Sequence, residues 1–276
     1  MKTFLVPTDF SDVSQQALQY LIDQLTHEKT QAVIVLLHVY DGTFSSDEPL
    51  VFEPMKGAEE LVQEELQRFA DRTPAPSGIT IEPVALVGFP ANEILHLVEK
   101  RKMEGICMGV RSKHELQDKV FGTVSSHVSR HADCPVILVP NGAKFTPYQN
   151  ILVATETDIP VNSFMHLARL AEKYQSILHF LHVDTDGMDD FEETEVKLYQ
   201  RINHLLSTLL PYEIRNLKAD SVWSGITQYQ QDYPVDLTVI LPERHRFWER
   251  LIGLSHTKNL VLHSQTPVLV LPGKSQ

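Results

Sequence analysis

The chain has 276 residues, with 24 Lys and Arg against 36 Asp and Glu and a formal net charge of −12, a length suited to two domains of ordinary size. Both parts are acidic, 12 basic against 20 acidic residues in 1–140 and 12 against 16 in 141–276, so the clustered cations of a general nucleic-acid binder are absent. Two cysteines, Cys107 and Cys134, build no disulfide framework or cysteine zinc site. The start "MKTFLVPTDF" has no signal-peptide core, and apolar runs such as 32–37 fall far short of the roughly 20 residues of a membrane span. A soluble, cytoplasmic protein with no nucleic-acid or membrane partner is expected.

Along the chain, residues 3–6 form a short apolar strand, and Ser11 or Asp12 can cap a helix whose apolar face is Ala17, Leu18, Leu21, Ile22 and Leu25. The β-branched run 33–39 predicts a strand covered on both faces. A loop with Gly42, Pro49 and Pro54 leads to an amphipathic helix through Leu61, Val62, Leu66, Phe69 and Ala70. Then follow a strand near 79–87, a helix near 91–100, a strand at 105–108 ended by Gly109, a helix opened by Gly122 and Thr123 that runs through Val124 and Val128, and a strand at 136–139.

The chain then repeats itself. "TFLVPTDFSD" is echoed by "NILVATETDI", "VLLHV" by "HFLHV", and "HADCPVILVP" by "HSQTPVLVLP", the last pair at an offset of 132 residues. The second copy predicts strands at 151–154, 177–183, 214–222, 237–241 and 268–271, with helices at 161–173, 192–209, 226–231 and 255–262. Residues 141–149, "NGAKFTPYQ", read as the linker between domains 1–140 and 150–276. Alternating strands and helices predict an α/β fold: two repeated, doubly wound, mainly parallel five-stranded sheet domains. Two such copies are expected to pack as an intramolecular pseudo-dimer, with a further homodimer left open.

Open α/β sheets bind ligands beyond the carboxyl ends of their strands, near a switch in strand order. That selects Pro7, Thr8 and Asp9, then Val39, then the stretch from Gly109 to Ser112. A helix opened by Gly122 and Thr123 turns free N–H groups and a positive dipole end to whatever lies in front, and an anion suits that place. Ser112, Thr123 and Ser125 add hydroxyls, and Asp9 could accept from a ribose hydroxyl or an adenine amino group. Turn and cap chemistry alone also explains such glycines. Neither a P-loop nor a G-x-G-x-x-G follows the first strand.

These residues carry a resemblance. "LVPTDFS", "HV" at 38–39, "VGFPANEIL" and "ICMGVRS…FGTVSSHVSRHADCPVILVP" resemble a universal stress protein domain, and the whole chain resembles the tandem type of that family, with an adenine nucleotide alpha hydrolase-like fold. Its nucleotide-binding branch carries G-x2-G-x9-G-[ST]. Here Gly109 and Gly122-Thr123 match with the nine-residue spacer intact, while Ser112 stands where the motif has glycine. The resemblance implies Pro7, Thr8, Asp9 and Val39 around adenine and ribose. It implies Met108, Gly109, Arg111, Ser112, Gly122, Thr123, Val124 and Ser125 on the ribose and phosphate side. ATP or another adenine nucleotide, with Mg2+, is the implied cofactor, and an unknown protein the implied partner. If the second glycine needs φ > 0, the Ser112 side chain costs about 1 kcal/mol or more.

In the second copy the offset sets Leu241 at Gly109, Arg244 at Ser112, Leu254 at Gly122 and Ser255 at Thr123, and Glu156 corresponds to Asp9. The glycine loop is gone there; Phe247 and Trp248 suit an interface or a filled pocket. His127 and His131, four apart with Cys134 beyond, read as a surface or core pair, not a metal site. His38 and His182 recur at matched strand ends, as a structural repeat or a pocket wall. The acidic run 184–195 lacks the EF-hand pattern and reads as a solvated loop with an acidic helix start. No catalytic residue emerges, so slow ATP hydrolysis is the most an enzyme reading allows. The expected function is a nucleotide-responsive stress or regulatory module, with a non-nucleotide interaction protein and a slow ATPase as alternatives.

Overall fold

The structure, a computed structural model, describes residues 1–40, 43–44, 52–53, 57–110, 123–156, 159–187, 189–205, 210–241 and 266–272. The chain forms two compact units, one from Met1–Val110 with Gly122–Phe145 and one built on Thr146–Gln276.

In the first unit β1 (Lys2–Pro7) leads into α1 (Asp12–His27), whose N-cap Ser11 accepts from the Ser14 amide. Ala17, Leu18, Leu21, Ile22 and Leu25 are all buried, the face that the 3.6-residue period assigns. β2 (Ala32–Tyr40) follows, then a two-residue antiparallel pair, β3 (Thr43–Phe44) with β4 (Phe52–Glu53). In α2 (Ala58–Asp71), Leu66, Phe69 and Ala70 are buried, but Leu61 is 67% exposed. It belongs to a first turn, with Glu59 and Glu60, that stays in water, so the apolar face begins later than its spacing suggested. β5 (Ile79–Val87), α3 (Pro90–Arg101), β6 (Gly105–Val110), α4 (Thr123–His131) and β7 (Val136–Pro140) complete the unit. Gly109 does not end β6; it lies within it, paired with Val139.

All main strands of this unit are parallel, in the order β5-β2-β1-β6-β7. Right-handed crossovers then carry α1 and α2 to one face of the sheet and α3 and α4 to the other, so both faces are covered and the strands β6 and β7 are apolar throughout. After β7, Gly142 donates its amide to Gln16 Oε1 at 2.9 Å and Phe145 packs edge-on against Tyr20.

The second unit repeats the plan with β8 (Asn150–Ala154), α5 (Val161–Tyr174), β9 (Ile177–Asp184), α6 (Phe191–Leu205), β10 (Tyr212–Lys218), α7 (Val222–Asp232), β11 (Leu237–Ile240) and β12 (Val268–Val270). Its parallel order, β10-β9-β8-β11-β12, is the same third-second-first-fourth-fifth sequence. The strand expected over 214–222 spans Tyr212–Lys218 instead. Ser221 accepts from the Ser224 amide at 3.1 Å and opens a helix at Val222, because an N-cap hydroxyl outweighs the β preference of one valine. The helix expected at 255–262 lies outside the described residues.

Candidate functional site

In the first unit the strand order reverses between β1 and β6, where an open α/β sheet parts its loops and leaves a crevice. Leu5 pairs with Ile106, so the same register carries Pro7 alongside Met108, and on the other side Pro7 pairs with Leu37, two residues before Val39. Pro7, Thr8, Asp9, Val39, Met108 and Gly109 therefore gather at one edge of three adjacent strands. α4 starts at Thr123, with Val124 half-buried and Ser125 buried. Because α4 lies between two parallel strands, its N-terminus belongs to that same edge. Arg111, Ser112 and Gly122 lie outside the described residues.

The loop after β1 is tightly built. Thr8 Oγ1 accepts from the Phe10 amide at 3.0 Å and lies 2.8 Å from Ser14 Oγ, which itself donates to the Ser11 carbonyl at 2.8 Å. The Thr8 proton therefore goes to Ser14, and that hydroxyl is committed inside the loop. Asp9, exposed, accepts through Oδ1 from both the amide (3.1 Å) and the hydroxyl of Ser11, which fixes its carboxylate at the start of α1. Between them Phe10 sits at φ 62, a left-handed conformation that costs a non-glycine residue roughly 1–2 kcal/mol. Its ring holds it there, 4.2 Å from the His38 ring and edge-on to Phe69 at 5.7 Å. His38 Nδ1 donates to the Thr8 carbonyl at 2.8 Å, tying β2 to the loop. Phe10 and Ser14 are not among the residues expected from sequence, and His38, expected as a structural repeat or a pocket wall, serves as a tie between β2 and this loop. The signals for Phe10 and Ser14 were an aromatic residue directly after the strand-end aspartate and a Ser-x-x-Ser spacing.

Gly109 answers to protein. A Cβ built there would stand 2.4 Å from the Val13 carbonyl oxygen and 2.9 Å from Val13 Cγ1. Two residues back, Cys107 Sγ donates to the Ala17 carbonyl at 3.3 Å. Two small residues on one face of β6 thus let α1 lie directly on the strand.

The sequence profile of the Universal stress protein family matches residues 1–140 and, again, residues 147–272. The chain belongs to the universal stress protein family. A universal stress protein of Methanocaldococcus jannaschii is 31% identical over 150 residues, 52% of this chain and 84% of its own length. One of Bacillus subtilis is 31% identical over 144 residues, 49% of this chain and 96% of its own length. The crystal structure of a universal stress protein from Archaeoglobus fulgidus shares the fold at a TM-score of 0.68 and 20% identity, covering 99% of this chain and 98% of that one.

The second universal stress protein unit has a different edge. Leu241, 1% exposed, occupies the position of Gly109, and the Thr155 hydroxyl donates to the Glu156 carbonyl. Arg244, Phe247, Trp248, Leu254 and Ser255 lie outside the described residues. The acidic run closes on itself: Asp184 Oδ1 accepts from the amides of Asp186 and Gly187, and Asp190 Oδ1 accepts from those of Glu192 and Glu193 at the head of α6.

His127 and His131 are exposed and stack at 4.2 Å. Among the described residues no group of three His, Cys, Asp or Glu side chains could hold a metal ion, and no helix is long and apolar enough to cross a membrane. Both cysteines are buried with no disulfide, and burial pushes the Cys134 thiol up to about 12 and that of Cys107 higher still.

Proposed function

We propose that this universal stress protein is an adenine-nucleotide-responsive stress or regulatory module that binds its nucleotide in the first unit and uses the second as a non-nucleotide partner domain. The observation that carries the reading is the hydrogen-bonded Thr8–Ser14 loop at the β1/β6 switch point, with Asp9 held by Ser11 at the strand edge that Val39 and Met108 share. A carboxylate there is an acceptor for ribose hydroxyls or the adenine amino group. The start of α4, with Thr123 and Ser125, is the phosphate side, and Arg111, Ser112 and Gly122 complete the set. Thr8 acts through its backbone, since its hydroxyl is engaged by Ser14. Bound nucleotide, with Mg2+ on its phosphates, would change the surface offered to a protein partner.

The test is to purify the protein natively, denature it and identify released nucleotide by mass, beside an Asp9→Ala variant. Adenine nucleotide is expected from the parent and little from the variant. A second reading, an interaction protein without nucleotide, is favoured by Gly109, whose smallness is already required by Val13. It expects empty protein that also ignores added ATP.

A further inference from the structure

The second unit has its own polar chemistry at the carboxyl ends of β9 and β10. In the first unit the matching strands set His38 beside Ala85, and the His38 ring is bonded to Thr8. In the second, His182 stands beside Asn216, and its Nε2 bonds Asp189 Oδ2 at 2.9 Å. Register partners on adjacent strands leave the sheet on the same face, about 5 Å apart. His182 is 7% exposed and its Nδ1 is buried without a hydrogen-bond partner. The Asn216 amide nitrogen donates to the Phe191 carbonyl at 3.4 Å, and its Oδ1 is likewise buried without a partner.

The identity of these two atoms follows from the bonds made by their neighbours. In a neutral imidazole whose Nε2–H is given to a carboxylate, Nδ1 is an acceptor, and an amide oxygen is only ever an acceptor. Two buried acceptors on paired residues of adjacent strands call for a donor. Asp184 lies two residues on along the same face of β9, 2% exposed, and the loop above carries Asp186, Asp189 and Asp190, with Glu192 and Glu193 just beyond. Lys218, the register partner of Asp184, turns its ammonium over the Phe191 ring at 5.3 Å, one positive charge against that acidic group.

We propose that the second unit binds a small primary ammonium ligand here, its N–H groups donating to His182 Nδ1 and Asn216 Oδ1 and its charge met by the acidic segment from Asp184 to Glu193. Donor-only chemistry fits these two unpartnered acceptors, and the surrounding charge selects a cation over a neutral alcohol. Asn216 supplies an acceptor where the first unit has Ala85, and His182, bonded through Nε2 to Asp189, leaves Nδ1 open where His38 Nδ1 is bonded to Thr8.

The experiment titrates 1,4-diaminobutane into the full chain with 15N-labelled histidine at pH 8, where an ordinary imidazole is neutral. Choline, a cation without N–H donors, is the control. The His182 Nδ1 resonance is expected to move saturably with the diamine and not with choline. Asn216→Ala, which restores the first unit's side chain, should weaken the diamine at least tenfold, whereas Asn216→Asp, which keeps an acceptor, should not. No saturable shift, an equal response to choline, unchanged affinity in Asn216→Ala, or a crystal grown with the diamine showing only a water between the two acceptors would overturn the proposal. Should a variant fail to fold, the contrast between diamine and choline on the parent chain still decides.

Discussion

The Val13 carbonyl oxygen lies where a side chain on Gly109 would have to begin, 2.4 Å from an ideal Cβ. The first glycine of the nucleotide pattern is thus required by the seat of α1 on β6, whatever ligand is present. Gly109→Ala forces helix and strand apart and is expected to cost about 1–3 kcal/mol, as overpacking does in well-filled cores. Urea unfolding without nucleotide measures it. A variant as stable as the parent that only lost nucleotide affinity would return Gly109 to the ligand.

Phe10 offers a test of strain. Glycine relieves a left-handed cost of roughly 1–2 kcal/mol but gives back about 0.4–1 through the freer unfolded chain. Both Phe10→Ala and Phe10→Gly lose the contacts with His38 and Phe69. Phe10→Gly should therefore be the more stable of the two by up to about 1.5 kcal/mol, inverting their usual order. The usual order, Ala above Gly, would show that the loop relaxes out of the left-handed conformation once the ring is gone.

His179 gives the second unit a pH dependence. Nε2–H donates to Asn150 Oδ1 at 3.3 Å and the Tyr229 hydroxyl, 2.9 Å away, donates to Nδ1, an arrangement complete for a neutral ring. Burial holds the pKa below its ordinary 6.5, with Glu213 pulling it up and Arg215 pushing it down. Well above pH 6.5 the ring is neutral both folded and unfolded and contributes no slope. As pH falls through 6.5 the unfolded chain takes up the proton first, so stability drops until the folded ring is also protonated. Denaturation followed through buried Trp223 should show the second unit weakening between about pH 7 and 5, and the slope should be shallower in His179→Gln. Identical slopes would remove His179 from the account.

The repeat and the strand order could be read because each copy writes most of its strands as largely apolar runs and closes with Cys-Pro or Thr-Pro before the last one. Val222 misled because a β-branched residue looks the same at a strand end and in a first helical turn; only the Ser221 cap separates them. The strand-end residues from Pro7 to Gly109 were legible as an edge. Why two of them are there was not, since the Thr8–Ser14 bond and the Val13–Gly109 approach join residues whose contact no spacing encodes. The pairing of His182 with Asn216 was hidden for the same reason: a 34-residue separation becomes adjacency only through the β9/β10 register.

Stoichiometry tests the central claim most directly. Calorimetric titration of the nucleotide-stripped chain with ATP and Mg2+ should give one site per chain, lost in Asp9→Ala and untouched by Glu156→Ala in the second unit. Two equivalent sites, one site that survives Asp9→Ala, or no binding heat at millimolar ATP would contradict a nucleotide site confined to the first unit.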